Sequence, residues 1–526
     1  MSEHNRLSAV EMRRMLGAGE MSAVDLLTDC IAAIDAENLR VNAVVTRCFD
    51  HARQQALACD VARANGAPCG PLHGLPVLIK DLMDTAGLRT TYGSRCFSDH
   101  VPDRDALIVE RLKAAGAIVL GKTNTPEFGA GANTRNLVFG ATGNPFDPAL
   151  TSGGSSGGSA AALACDMAPL ATGSDLGGSL RIPASFCSVV GMRPTPGVVA
   201  SRSYVSGFSP LWCDGPMART VEDVALMLSA IAGWDAADPL SSPATGFDFA
   251  VFDNGDAATD PVQLCVGFST DLGVAAVDDA IRDVFAQRLP VLSQCFGAST
   301  PIDIDLSETT EVFKILRAAS MAASYGALVA QKAGDIGPNV LSNVRDADRY
   351  SLLDAARANA AHTRIYRRFQ ALFDEIDVLI CPATAVTPFP LEQNHPDRIN
   401  GAPLDGYFAW VAITSALSLT GCPVVTLPCG LDHAGMPFGI QLVGRPHGDL
   451  ALLKTAYRLE KALVQQGLGR VVPLSECLPF PARLPCCPVA VSSPRPGPWV
   501  SEVASILCGA VCPLPVHVLI WQDQVT

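Results

Sequence analysis

The sequence predicts an α/β protein built on a covered sheet, and three observations carry that expectation. Short continuous apolar runs recur at Val77-Leu78-Ile79, Ala117-Ile118-Val119-Leu120, Val378-Leu379-Ile380 and 423–427, each the length of a strand buried on both faces. Stretches with helical periodicity stand among these runs, as layered α/β architectures require. Hydrophobic residues make up 48% of the 526 positions and charged residues 17%, against about 25% charged in soluble domains generally. A solvated, disordered chain is thereby excluded.

The elements follow in chain order. Residues 1–14 carry Glu3, His4, Arg6, Glu11, Arg13 and Arg14 without an apolar core, so no signal peptide is expected there. From Met21, the residues Ala23, Val24, Leu27, Cys30, Ile31 and Ile34 fall at three- and four-residue spacings behind Ser22, an amphipathic helix with its N-cap. Residues 105–115 read as a second helix closed by Gly116. The stretch Gly116 to Thr123 matches the phosphate-binding template G-x-x-x-x-G-K-T letter for letter. That chemistry needs a loop of free N–H groups between the glycines, and here those four residues are the strand itself.

Residues 140–196 are dense in Gly, Ser, Thr and Pro yet carry Asp175, Arg181 and Pro183 among apolar stretches, which a flexible linker has no reason to contain. Eight prolines and four cysteines crowd the last 46 residues without helical or strand periodicity. The expected organisation is therefore one domain over 1–480 and an atypical extension, 481–526, outside the fold. The apolar stretch from Val503 to Ile520 is interrupted by Pro513 and Pro515 and makes a poor spanning helix.

A net charge of −14 argues against nucleic acid or an anionic membrane as partner. The 18 cysteines form no Cys-x-x-Cys pair and sit mostly among small apolar neighbours, as Cys165, Cys187 and Cys422 do. They read as reduced core thiols of a cytoplasmic protein. None of the nine histidines lies within 140–196, and neither a G-x-S-x-G elbow nor an H-E-x-x-H motif occurs. No metal site or cofactor is expected.

Two serine-rich pieces carry the chemistry: Thr151-Ser-Gly-Gly-Ser155-Ser156-Gly157-Gly158-Ser159, and 173–183, which reads GSDLGGSLRIP. A serine preceded by two glycines can lie in a turn whose N–H groups converge on one point, as stabilisation of an oxyanion requires. Lys80 closes an apolar strand and precedes Asp81; alone it reads as a strand-end surface lysine.

Taken together, these segments resemble the amidase signature family. Residues 153–183 agree with that family's long signature, and the similarity extends through HGLPVLIKDLMDTAG at 73–87, GKTNTPEFG at 121–129, GATGNPFDP at 140–148, VGMRPTPG at 190–197, GPMARTVEDVALML at 215–228 and GMPFGIQLVGRP at 435–446. It covers roughly residues 5 to 470. The resemblance implies a three-layer α/β/α fold with a large central mixed sheet, and a Ser-cisSer-Lys triad: Ser179 as nucleophile, Ser155 as proton relay after a cis Gly154–Ser155 bond, and Lys80 as base. The backbone amides of Leu176, Gly177, Gly178 and Ser179 would form the oxyanion hole. Asp175, Arg181 and Ser156 would support the loops or touch substrate.

The chemistry is consistent with these assignments. A serine hydroxyl needs a base within hydrogen-bond reach, and a lysine serves only when neutral, which burial favours. The implied activity is hydrolysis of a small linear amide, aryl amide, ester or carbamate through an acyl-serine. Tyr204, Phe208, Trp212, Tyr325 and Phe408 are expected around an apolar acyl pocket, and a homodimer is compatible with the family. The alternative is the glutaminase-type subunit of a tRNA-dependent amidotransferase, although residues 198–216 do not look like that subfamily.

Overall fold

The computed structural model describes residues 4–241 and 263–473; the expected boundary at 480 and the extension 481–526 lie outside the described residues. Eleven strands form one mixed sheet: β1 (Val44–Arg47), β2 (Pro76–Lys80), β3 (Ile118–Thr123), β4 (Leu170–Asp175), β5 (Val190–Arg193), β6 (Cys213–Ala218), β7 (Cys265–Phe268), β8 (Ala298–Pro301), β9 (Val378–Pro382), β10 (Val424–Leu431) and β11 (Pro437–Val443). They lie side by side in the order β1-β3-β2-β4-β6-β5-β10-β11-β9-β7-β8, and helices cover both faces. All four apolar runs read from the sequence are strands of this sheet.

β2 runs parallel to both β3 and β4, whereas β4 pairs antiparallel with β6. Parallel strands are buried on both faces, which accounts for the unbroken apolar text of β2. Every residue of β2, β3 and β4 is buried. Ligand sites in such sheets gather at the carboxyl ends of parallel strands, and here those ends are Lys80 and Ser174-Asp175.

The helix Ala23–Val41 begins at Ser22, whose side chain accepts a hydrogen bond from the Asp25 amide. Its buried face includes Leu26, Leu27, Cys30, Ile31 and Ile34. Val24, expected on that face, is instead exposed, and Leu26 is buried. The G-x-x-x-x-G-K-T stretch is β3, and Lys122 is buried, its Nζ donating to the Met83 carbonyl and to Thr85 Oγ1 (2.9 Å). No cradle of free amides exists there.

The apolar stretch after Ser156 is the helix Gly157–Ala164, all of it buried. Its small residues let it lie close against neighbouring backbone: a Cβ on Gly158 would sit 2.4 Å from the Asn124 amide nitrogen. Among the described residues one helical stretch, Thr309–Asp335, meets the length and mean-hydropathy requirement of a membrane span. Phe313, Ile315, Ala318 and Met321 on it are buried within the fold, as is Arg317, which donates to Asn343 Oδ1 at 2.8 Å. The cysteines within the described residues are free thiols.

Candidate active site

Lys80 ends β2 fully buried. Its amide donates to Thr172 Oγ1 on β4 at 2.8 Å, and its Nζ lies within hydrogen-bond distance of three hydroxyls, Ser155 Oγ at 2.7 Å, Ser156 Oγ at 2.9 Å and Ser174 Oγ at 2.9 Å, a set that a neutral amine satisfies with two N–H donors and one lone pair. Burial pulls its pKa down to about 7, with the negative charges of Asp214 and Asp175 acting in the opposite direction. The amine is surrounded by neutral oxygens rather than carboxylates, so nothing in contact demands its charged form. The helix that starts at Gly157 places its positive end immediately after Ser155-Ser156, which further disfavours an ammonium.

The Gly154–Ser155 bond is cis. The loop carrying it is held by Thr134, whose Oγ1 donates to the Gly153 carbonyl at 2.8 Å, and by Ser156 Oγ, which donates to the Ser174 carbonyl at 3.3 Å. The Ser156 amide donates to the Ser179 carbonyl at 3.2 Å, so the serine loop and the glycine-rich loop form one hydrogen-bonded unit. Ser179 is half-buried and lines a small cavity together with Gly154, Gly177, Ile182, Phe313 and Arg317.

Asp175 organises the second loop. Its carboxylate accepts from the Gly178 amide (2.9 Å), the Leu180 amide (3.0 Å), Arg181 Nε (3.1 Å) and Nη2 (2.9 Å), and Arg193 Nη1 (3.3 Å). Burial alone would raise its pKa, but the charges of Arg181 and Arg193 outweigh that and hold it well below the carboxylate range. Arg181 is itself buried and donates also to the Thr414 carbonyl at 2.8 Å and Ser418 Oγ at 3.0 Å. One expectation is corrected here. The Gly178 amide, read as an oxyanion donor, is occupied by Asp175, whereas those of Leu176, Gly177 and Ser179 have no such partner among the described residues.

Gly178 lies at φ 128°, and a Cβ there would meet Thr414 Oγ1 at 2.4 Å. Thr414 Oγ1 in turn donates to the Gly177 carbonyl at 2.7 Å. The Gly177–Gly178 peptide plane is therefore held at both ends, its carbonyl by Thr414 and its amide by Asp175.

Two neighbours were not read from the sequence. Ser174 contacts Lys80 only because β2 and β4 are parallel and in register. Asp214 lies directly across the β4–β6 ladder from Ser174; burial pushes its pKa up to about 6, while the Tyr204 hydroxyl, the Lys80 charge and Trp212 act to lower it.

A cavity of about 420 Å³ adjoins these groups, lined by Ser174, Leu176 and Asp214 on one side and by Tyr92, Phe128 and Tyr325 on another. Gly129 joins it to the serine loop: a Cβ there would lie 3.4 Å from Ser155 Oγ and 3.5 Å from Trp212 Cη2. Of the aromatics expected in a pocket, Tyr204, Trp212 and Tyr325 line this cavity. Phe208 is 84% exposed, and Phe408 packs edge-to-face on Phe313 at 6.0 Å.

Known proteins resemble this chain over most of its length. Residues 25–453 match the family described as Amidase. An acylamidase of Rhodococcus erythropolis is 34% identical over 466 residues, covering 88% of this chain and 96% of that protein. A glutamyl-tRNA(Gln) amidotransferase subunit of Moorella thermoacetica is 36% identical over 482 residues, covering 87% and 96%. The crystal structure of a bacterial aryl acylamidase of the amidase signature enzymes superposes with a TM-score of 0.81 at 27% identity, covering 87% of this chain and 96% of that one.

Proposed function

Since the chain belongs to the amidase signature family, we propose that it hydrolyses the amide bond of a small carboxylic amide or aryl amide through an acyl-serine, with Ser179 as nucleophile, Ser155 as relay and Lys80 as base. The observation that carries this reading is the buried Lys80 amine 2.7 Å from Ser155 Oγ with its pKa near 7. Such a lysine is neutral in a large fraction of molecules at physiological pH, where a general base works best.

Neutral Lys80 accepts the Ser155 proton as Ser155 accepts that of Ser179, and Ser179 Oγ attacks the carbonyl carbon. The oxyanion meets the amides of Leu176, Gly177 and Ser179, each donor lowering the barrier by about 3 to 4 kcal/mol. Lys80 and Ser155 then return the proton to the leaving nitrogen, the C–N bond breaks, and water activated by the same relay hydrolyses the acyl-serine. Asp175 takes no part in proton transfer, since its oxygens are filled by Arg181, Arg193 and loop amides. It holds the loop that presents those donors.

A second reading, the glutamine-hydrolysing component of an amidotransferase, is favoured by the similarity to the Moorella protein. Against it stands the cavity wall formed by Tyr204, Leu211 and Trp212, which offers glutamine an apolar aromatic surface. Amine or ammonia release from aliphatic amides, benzamide, an anilide, an aryl carbamate and glutamine separates the two. Turnover of the aryl amides by the isolated chain, lost in Ser179→Ala, supports the hydrolase, and glutamine alone as substrate overturns it.

A further inference from the structure

We propose that the 420 Å³ cavity selects substrates carrying a cationic group, such as an alkylated ammonium, with Asp84 as its counter-ion. The inference rests on the amidase reading and adds to it the substrate class. Apart from tyrosines, the ionisable side chains lining the cavity are Asp84 and Asp214, and no lysine or arginine lines it among the described residues. The two carboxylates occupy different surroundings. Asp214 sits beside Lys80 and Ser174, and the Tyr204 hydroxyl is close enough to stabilise it yet short of hydrogen-bond geometry.

Asp84 lies in a separate aromatic wall. Its carboxylate accepts from the Tyr92 hydroxyl, and Tyr92 packs edge-to-face on Phe97 at 5.1 Å and stacks on Phe128 at 6.4 Å, which stacks on Tyr325 at 4.4 Å. All four rings line the cavity. The buried Lys122 interacts with Asp84 by charge, but its Nζ donates to the Met83 carbonyl and Thr85 Oγ1, so the carboxylate keeps acceptor sites for a ligand. Aromatic faces around one carboxylate attract an organic cation twice over, through the ring quadrupoles and through charge. A neutral apolar group filling the same space would desolvate Asp84 with only the Tyr92 hydroxyl and the Lys122 charge to offset the cost.

Isosteric pairs test this: 3-(trimethylammonio)acetanilide against 3-tert-butylacetanilide, and the corresponding benzamides, so that the cation is presented on either side of the scissile bond. The expected result is a kcat/KM at least ten-fold higher for the charged member of one pair. That ratio should fall about ten-fold in Asp84→Asn and recover in Asp84→Glu. Binding of phenyltrimethylammonium and of tert-butylbenzene to Ser179→Ala, followed by tryptophan fluorescence, gives a readout independent of turnover. Tighter binding of the cation, lost in Asp84→Asn, supports the cavity assignment even if no amide is cleaved, in which case only the hydrolase reading falls. Equal or weaker binding of the cation in the wild-type and Ser179→Ala proteins, or charged-to-neutral ratios at or below one in both pairs, overturns the inference.

Discussion

Replacing Lys80 by methionine keeps most of the length of the buried side chain and removes its ionisation. In the folded protein Lys80 titrates near pH 7, against 10.5 for an ordinary lysine. Between those two values the unfolded chain holds a proton that the folded chain has released, so stability rises with pH across the interval, by about 1.4 kcal/mol per pH unit. From pH 7 to pH 9 the wild type should gain about 2.5 kcal/mol relative to Lys80→Met. Lys122 titrates near 8 in the same buried region, but it is present in both proteins and its contribution cancels in the difference. Urea unfolding followed by circular dichroism at several pH values, with the slope against denaturant checked for constancy, measures that difference. Parallel stability profiles for the two proteins would mean that Lys80 is charged in the fold, and a charged Lys80 cannot serve as base.

The same lysine sets the rate profile: kcat/KM for a neutral amide should climb with pH to a plateau above about 7, as the fraction of neutral Lys80 grows, and initial rates between pH 5 and 9 check it. Asp175→Asn removes the charge that balances Arg181 and Arg193 while keeping the side chain's shape. It should cost about 3 to 5 kcal/mol in chemical denaturation, the cost of stranding buried cations. Gly178→Ala drives a methyl group against Thr414 at a φ of 128°. It should lower kcat by disturbing the oxyanion loop and cost at least about 1 to 3 kcal/mol of stability, both measurable on one preparation.

The sequence carried the site further than it carried the site's surroundings. Lys80, Ser155 and Ser179 stand in motifs whose small residues have physical reasons to be there, and Gly158 shows one, since any side chain would collide with the Asn124 backbone. Strand positions were legible because apolar runs without alternation belong to strands buried on both faces. Ser174 and Asp214 were not, because their places beside Lys80 depend on the β2–β4 and β4–β6 registers, which no local pattern encodes. Arg193 joins Asp175 from 18 residues downstream for the same reason. The Gly178 amide was misassigned because its position in the motif says nothing about which way its N–H points. Phe208 was misplaced because aromatic character alone does not distinguish a pocket wall from an exposed loop.

The central claim is that Ser179 becomes acylated. Incubation with an activated acyl donor such as 4-nitrophenyl acetate, acid quenching at short times, and intact-mass and peptide measurements test it directly. One acyl group per chain on the peptide containing Ser179, absent in Ser179→Ala and slowed by orders of magnitude in Lys80→Met, is the predicted result. Acylation elsewhere, or turnover retained by Ser179→Ala, would contradict it.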